Sequence, residues 1–309
     1  VGTDNLCPYY DVALKRDRLA TLADRPEFRF VEADLADRGA MRAVFDLCGP
    51  RRVIHLGAQA GVRYSLSHPE TYVDSNLVGF MTILEECRRL SIAHLVYASS
   101  SSVYGGNEKL PFAVSDSVDH PVSLYAATKK ANELMAHSYA HLFGLPATGL
   151  RFFTVYGPWG RPDMAYWKFA EAIIEDRPID VFNEGRMARD FTYVDDAADA
   201  VVRVAARAPA PDPDFDAMRP DPGSSWAPHR VHNVGNTRRE NLLDMIAMLE
   251  TALGREARKR FLPMQPGDVV ETWADVSSLE REIGYAPATP LAEGLGRFAA
   301  WFVDWRARR

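Results

Sequence analysis

Apolar residues recur along this chain in two rhythms. Short runs rich in Val, Ile, Leu and Phe, at Phe28–Leu35, Leu95–Ala98 and Ala147–Phe153, read as buried strands. Another runs from Arg52 into the small-residue loop around Gly57–Gly61. Stretches with an apolar residue every three or four positions separate them and read as helices. One follows Asp37, a candidate cap, and ends at Cys48. A second, long one covers Pro69 to Leu90. A third opens at Ser123, with Leu124, Ala127, Ala131, Leu134, Met135 and Leu142 as a stripe expected to face the core. Gly144 and Pro146 stop it. This alternation predicts an α/β fold with a doubly wound parallel sheet.

Beyond Pro162 the alternation is less regular, which predicts a smaller α/β lobe. Ala165–Asp176 reads as a helix and Pro178–Phe182 as a short strand. Residues 209–230, rich in Pro and Asp and without periodicity, read as an exposed loop. A strand and turn follow at Val231–Asn236, then amphipathic helices at Asn241–Leu253 and Leu291–Arg306.

The chemistry gathers around the third helix. Tyr125 and Lys129 sit four apart, so their side chains share a face at a separation of roughly 6 Å along the axis. A phenol ordinarily keeps its proton to about pH 10. A neighbouring ammonium favours the phenolate and brings that proton within reach of neutral-pH chemistry. The strand at Leu95 ends in four hydroxyls, Ser99 to Ser102. Ligands of doubly wound sheets bind at strand carboxyl ends. His55, inside a strand, reads as a core residue.

Composition narrows the field. The 309 residues are 47% hydrophobic and 25% charged, enough for one large domain and a smaller one. A net charge of −6 offers no basic footprint for nucleic acid. No apolar run reaches bilayer-spanning length and no secretory signal is read, so no membrane partner is expected. Cys7, Cys48 and Cys87 show no metal-ligand spacing, and their odd number suits a reducing cytoplasm.

The hydroxyl run followed by Tyr125-x-x-x-Lys129 resembles the Ser-Tyr-Lys centre of the extended short-chain dehydrogenase/reductase family. Further points of likeness are Asp4-Asn5 with Tyr9-Tyr10-Asp11, Phe152–Met164 with its Tyr156-Gly157-Pro158, Arg189-Asp190-Phe191, and Met264–Val269. Together they resemble the NAD-dependent nucleotide-sugar 4-epimerases, UDP-glucuronate 4-epimerases above all. The resemblance implies a Rossmann-like dinucleotide domain over 1–160, with 191–210 and 231–236 returning to it. It implies a mainly substrate-binding lobe over 161–309. It starts at the family's second strand. The glycine-rich turn is absent from these residues and is expected upstream of Val1; otherwise pyrophosphate is held in some other way.

The resemblance assigns roles to individual residues. Tyr125 would take the proton of the sugar 4-hydroxyl, Lys129 would hold its pKa down, and a hydroxyl would steady the reacting oxygen. Spacing favours Ser100, with Ser101 and Ser102 as rivals. The sugar would pass through a 4-keto intermediate with transient NADH. For NAD it implies Asp4 and Asn5 at the ribose, with a turn role for Asp4 equally open, and Asp34 and Leu35 at the adenine. It adds Leu56, Ala58 and Gln59 over the dinucleotide, and Asn76, Ala98, Ser99, Phe152 and Val155 beside it. Lys129 and Tyr125 would also touch the cofactor. For the UDP-sugar it implies Thr154, Arg161, Val181, Phe182, Arg189, Gln265 and Asp268. Arg161 has a rival role in pinning its own loop to Asp163, and Arg189 in pairing with Asp190 or Asp195. No acid lies between Ser99 and Tyr104, which argues against the dehydrating and decarboxylating relatives. A UDP-glucose/UDP-galactose 4-epimerase shares the same machinery, and a non-catalytic dinucleotide-binding module is a further alternative. Family habit implies a homodimer built on Pro69–Leu90 and Ser123–Phe143.

Overall fold

Parallel strand pairing organises the chain's first half. The computed structural model describes residues 1–265 and 269–309. In chain order the first elements are β1 (Gly2–Asp4), α1 (Val12–Ala20), β2 (Phe30–Glu32), α2 (Arg38–Cys48) and β3 (Arg52–His55). Next come α3 (Pro69–Tyr72), α4 (Gly79–Arg89), β4 (His94–Ser100), α5 (Leu124–Phe143) and β5 (Ala147–Phe152). Then follow β6 (Thr154–Tyr156), α6 (Ala165–Ile174), β7 (Ile179–Phe182), β8 (Ala188–Arg189), β9 (Phe191–Tyr193) and α7 (Val194–Ala205). The remainder is β10 (His229–Val234), β11 (Glu240–Asn241), α8 (Leu242–Leu253), β12 (Lys259–Leu262), α9 (Ser277–Ile283) and α10 (Leu291–Ala307).

Two compact units result. The first holds residues 1–108, 114–151 and 201–232; the second holds 109–113, 152–200 and 233–309. In the first unit β1 pairs with β2 in parallel, and a separate sheet runs β10-β5-β4-β3. Between β1 and β3 lies a cavity of about 450 Å³. Helices α2 and α4 close one face of the unit with Met41, Val44, Phe45, Phe80, Ile83 and Leu84 against Leu95 and Tyr97. In the second unit β6 pairs with β9 and β12 with β7, both in parallel, while β11 pairs antiparallel with β8. Helix α10 packs on α8.

Local chemistry explains the element ends. Asp37 caps α2 by accepting from the backbone N–H groups of Gly39 and Ala40. Ser123 caps α5 by accepting from Ala126 N, and Gly144, at φ +63°, ends it in the left-handed conformation that glycine adopts without penalty. Two expectations need correction. Pro69–Leu90 is not one α-helix, because Val73–Val78 between α3 and α4 is a π-helical turn. The stripe of α5 faces the core only in part: Met135 packs against it, whereas Leu124, Leu134 and Leu142 are exposed. The buried face is Ala126, Thr128, Lys129, Asn132, Glu133, Ala136 and Ala140. Its polar groups find bonds inside, and burial follows those bonds. The loop expected at 209–230 has no regular element before β10, but it is partly buried at Ser225 and Ala227.

Candidate active site

The π-helical turn is the first positioning device. π-turns inside helices often mark functional sites because they displace one residue from helical register. Here that residue set includes Asn76, 2% exposed. Its Oδ1 accepts from Gln59 N at 2.8 Å, and its Nδ2 donates to Gln59 O and to Thr128 Oγ1, both at 3.0 Å. Asn132 of α5 donates to Asn76 O at 2.7 Å. Asn76 thus ties the loop after β3 to α5, one residue before Lys129.

Lys129 is buried and donates to Ala98 O at 3.0 Å, so α5 meets the carboxyl end of β4. Burial lowers its pKa to about 8, which leaves the ammonium mostly charged at neutral pH. His55 lies in the core, stacked on Phe80. Burial and then the charge of Lys129 lower its pKa to about 3, so it stays neutral. Tyr125 is half-buried, its ring edge-on to Tyr72 at 6.1 Å.

The hydroxyls divide by their bonds. Ser99 donates to Glu133 Oε1 at 2.7 Å. Ser100 Oγ accepts from Ser102 N at 3.1 Å and caps the short 3-10 turn Ser101–Tyr104. Accepting there leaves the Ser100 proton to be donated elsewhere. Ser101 and Ser102 are half-buried on the turn.

The cavity between β1 and β3 gathers Asp4, Asn5, Asp34, Leu35, Leu56, Ala58 and Gln59. Asp4 Oδ1 accepts from Leu6 N at 2.7 Å and from Lys15 at 3.1 Å, so it does hold a turn. Asn5 donates to Asp34 Oδ2 at 2.7 Å. Leu35 is seated against two glycines. A Cβ on Gly57 would lie 2.7 Å from Leu35 Cδ1, and one on Gly79 would lie 2.9 Å from Leu35 Cβ. At Gly79 the near atom is the Leu35 Cβ, which cannot swing away, so glycine is what lets Leu35 sit there; at Gly57 only the end of the Leu35 side chain would have to turn.

In the second unit, Phe152 is half-buried and Thr154 and Val155 lie on β6, where Thr154 N donates to Asp190 O at 3.1 Å. Arg161 pairs with Asp163 at 3.2 Å and donates to Met164 Sδ at 3.4 Å. Val181 and Phe182 lie on β7 opposite Phe261 and Leu262 of β12. Arg189 donates to the backbone oxygens of Ala188 and Val270. Its neighbour Asp190 is buried and accepts from the N–H groups of Asn236, Thr237 and Ala274. Burial raises the Asp190 pKa to about 6 despite those bonds. Gln265 is half-buried, and Asp268 lies outside the described residues.

Sequence reading missed Glu133, Arg151 and Thr128. A signal for Glu133 existed: it lies four residues beyond Lys129 and eight beyond Tyr125, on their face of α5.

Parallel strands whose ends carry hydroxyls, beside a helix bearing Tyr125 and Lys129, define a short-chain dehydrogenase/reductase arrangement. The chain belongs to the NAD dependent epimerase/dehydratase family, whose model matches residues 7–215. It is 51% identical over 305 residues to Protein CapI of Staphylococcus aureus, covering 99% of this chain and 91% of the relative. It is 49% identical over 315 residues to a probable UDP-glucuronate 4-epimerase of Rhizobium meliloti (strain 1021), covering 100% and 91%. The crystal structure of UDP-glucuronic acid 4-epimerase from Bacillus cereus, in complex with UDP-glucuronic acid and NAD, matches with a TM-score of 0.84 at 30% identity. That match covers 98% of this chain and 90% of the other.

Proposed function

We propose that this protein inverts C4 of a UDP-sugar with NAD, converting UDP-glucuronate to UDP-galacturonate. The observation that carries the reading is the hydroxyl turn Ser100–Ser102 with Lys129 bonded to Ala98 at its root and Tyr125 one helical turn away. The turn offers hydroxyls and no carboxylate, so it supplies hydrogen bonds to a reacting oxygen but no acid for elimination. The uronate is supported by the Rhizobium and Bacillus relatives.

Residues around the first-unit cavity fit NAD. The half-exposed carboxylate of Asp4 keeps Oδ2 clear of its turn and Lys15 bonds and suits a ribose diol. Leu35, seated against Gly79, and the exposed Leu56 present apolar faces to an adenine. Asn5, Asp34, Ala58 and Gln59 complete that set, and Asn76, Ala98 and Ser99 support it; Phe152 and Val155 of the second unit are assigned to NAD by the family resemblance alone. When bound, NAD supplies a reversible acceptor for the hydrogen at C4. Tyr125 withdraws the 4-hydroxyl proton and later returns one. Lys129 stabilises the phenolate by its charge. Ser100, its oxygen already accepting from Ser102, donates to the sugar oxygen as charge develops. The family resemblance assigns Thr154, Arg161, Val181, Phe182, Arg189 and Gln265 to the UDP-sugar, together with Asp268, which lies outside the described residues.

One observation favours the neutral-hexose alternative, UDP-glucose to UDP-galactose. Arg161 is neutralised by Asp163 at 3.2 Å, which weakens it as a uronate ligand. The protein also acts as a homodimer in a reducing cytoplasm. Met81, Leu134, Leu142 and Phe143 leave an exposed apolar face on α4 and α5, and its three cysteines are free thiols. Among the described residues, no helix is long and apolar enough to cross a membrane.

Proton NMR of the protein with NAD⁺ and UDP-glucuronate, and separately with UDP-glucose, tests the reading. UDP-galacturonate without CO₂ is expected. Turnover of UDP-glucose alone selects the second reading, and turnover of neither overturns both.

A further inference from the structure

A buried ion pair lies behind the hydroxyl turn, and the chemistry above does not use it. Arg151 of β5 is fully buried and Glu133 of α5 is 4% exposed. The guanidinium forks onto the carboxylate, Nε to Oε1 at 2.8 Å and Nη2 to Oε2 at 2.9 Å. Its remaining nitrogen, Nη1, donates to Tyr104 Oη at 3.1 Å, with the guanidinium 4.9 Å from that ring's centre. Ser99 donates to the same carboxylate. Ser99 and Tyr104 are the residues that flank Ser100–Val103. Both ends of the hydroxyl turn are therefore fastened to one pair, and the pair's acid rides on the helix of Tyr125 and Lys129.

Fold stability does not demand this arrangement. Desolvating two charges costs several kcal/mol, and apolar residues of similar volume often serve as well. Burial raises the Glu133 pKa, but the charge and hydrogen bonds of Arg151 and the bond from Ser99 outweigh it and keep the group ionised. What the fork gives that packing does not is direction, since both its bonds have fixed geometry.

We propose that Glu133–Arg151 is a positioning pair that sets the Ser100–Ser102 turn against Tyr125 and Lys129, an assignment that rests on the epimerase reading above. The pair touches neither sugar nor cofactor. It holds the donor hydroxyl within reach of the oxygen that Tyr125 deprotonates.

The test replaces both charges together, Glu133→Leu with Arg151→Met, so that neither member of the fork stays buried alone, while Lys130, 3.9 Å from Glu133 Oε2, keeps its partial exposure to water. A second protein, Tyr104→Phe, removes one fastening and leaves the ion pair. Each is measured for thermal unfolding, for kcat and KM with UDP-glucuronate, and for hydrogen exchange at the amides of Ser100–Tyr104. Positioning predicts a folded double variant with KM within about threefold and kcat down about a hundredfold, the scale of a 1 Å misplacement. Tyr104→Phe is expected to lose about tenfold in kcat while still folding cooperatively, with a melting temperature lowered by the unpaired Nη1 of Arg151. Exchange should accelerate at Ser100–Tyr104 and not across the sheet. Native kcat in either folded variant overturns the proposal, as does loss that appears only in KM. If the unaltered protein epimerises no UDP-sugar, the functional reading fails by itself. The exchange pattern then decides the clasp, and unchanged protection at Ser100–Tyr104 sinks it. Should the double variant fail to fold, Tyr104→Phe decides alone.

Discussion

Helices α5 and α10 are the two longest in the protein, with 20 and 17 residues, and they bury opposite kinds of face. Helix α10 turns Leu291, Leu295, Phe298, Ala299 and Phe302 inward, and Trp167 packs against both phenylalanines. Its burial is apolar area removed from water, which is non-directional and worth about 2–3 kcal/mol per large side chain. Helix α5 turns Thr128, Lys129, Asn132 and Glu133 inward and leaves Leu134 and Leu142 in solvent. Each of those buried polar groups is matched by a named partner: Asn76, Ala98, Asn76 again, and Ser99 with Arg151. One helix is held by area and the other by direction. A site requires the second, because catalysis depends on angles and distances that apolar packing tolerates only loosely.

On α5 chemistry and stability can be separated by a single atom. Tyr125→Phe removes one oxygen and no packing. Turnover should fall about a thousandfold, within the usual range for a general acid–base group. The unfolding midpoint should stay put. A variant that still turns over removes Tyr125 from the mechanism, and one that melts early makes α5 an ordinary structural helix.

Phe298→Ala applies the complementary test to α10. Deleting a fully buried phenyl typically costs about 3–5 kcal/mol. Denaturant titration should show that loss, while kcat of the remaining folded protein stays within about twofold of native. A selective loss of kcat would mean that the apolar helix also positions chemistry.

Lys129→Met joins the two. In the native fold burial brings the ammonium to about 8 from the ordinary 10.5. The folded pKa is depressed, so the unfolded chain binds the proton more tightly, and folding pays for that below pH 8. At 1.36 kcal/mol per pH unit the cost is ~3 kcal/mol. The cost fades as pH rises from 8 to 10.5 and is absent above that window. Methionine abolishes it but deprives Ala98 O of its donor, a loss of ~1–2 kcal/mol. The variant should therefore be inactive yet more stable than native by ~1–2 kcal/mol at pH 7. By pH 10.5 it should have lost that advantage. Equal pH dependence of the two proteins would show that the buried ammonium carries no such cost. The same titration predicts that kcat/KM of the native enzyme declines above about pH 8, as Lys129 loses the charge that favours the phenolate.

How far these differences were legible in the sequence follows from the same physics. For α10, periodicity alone gave an amphipathic helix within one residue of its end, because area burial is what hydrophobic patterning records. For α5, periodicity gave the element but misplaced much of the face, since of the stripe's large residues only Met135 packs inward. The apolar pattern points Leu134 and Leu142 inward and assigns no face to Glu133. Motif spacing corrected part of this. Tyr125, Lys129 and the serines could be named from their order, because side-chain chemistry four apart on a helix follows from pitch. Arg151 could not, since its partners Glu133 and Tyr104 lie 18 and 47 residues away and only the sheet brings them together. The π-helical turn at Val73–Val78 left no mark in hydropathy either. It became visible as the bonds of Asn76.

The outward-facing leucines of α5 contribute least to the fold. Leu134 is 58% exposed and Leu142 is 66% exposed, so neither contributes much to the unit that carries it. If area holds one helix and direction the other, Leu134→Gln should change unfolding free energy by less than about 0.5 kcal/mol, as surface substitutions do. The same apolar face, with Met81 and Phe143, is what a second copy would cover, and covering it removes area from water as α10 does within its own unit. Self-association measured by sedimentation should therefore weaken about tenfold, equivalent to 1.4 kcal/mol. Native self-association would leave the stripe without a partner of this kind. A large loss of stability in the monomer would show instead that Leu134 belongs to the core, and that the two faces of α5 share the burden of holding it.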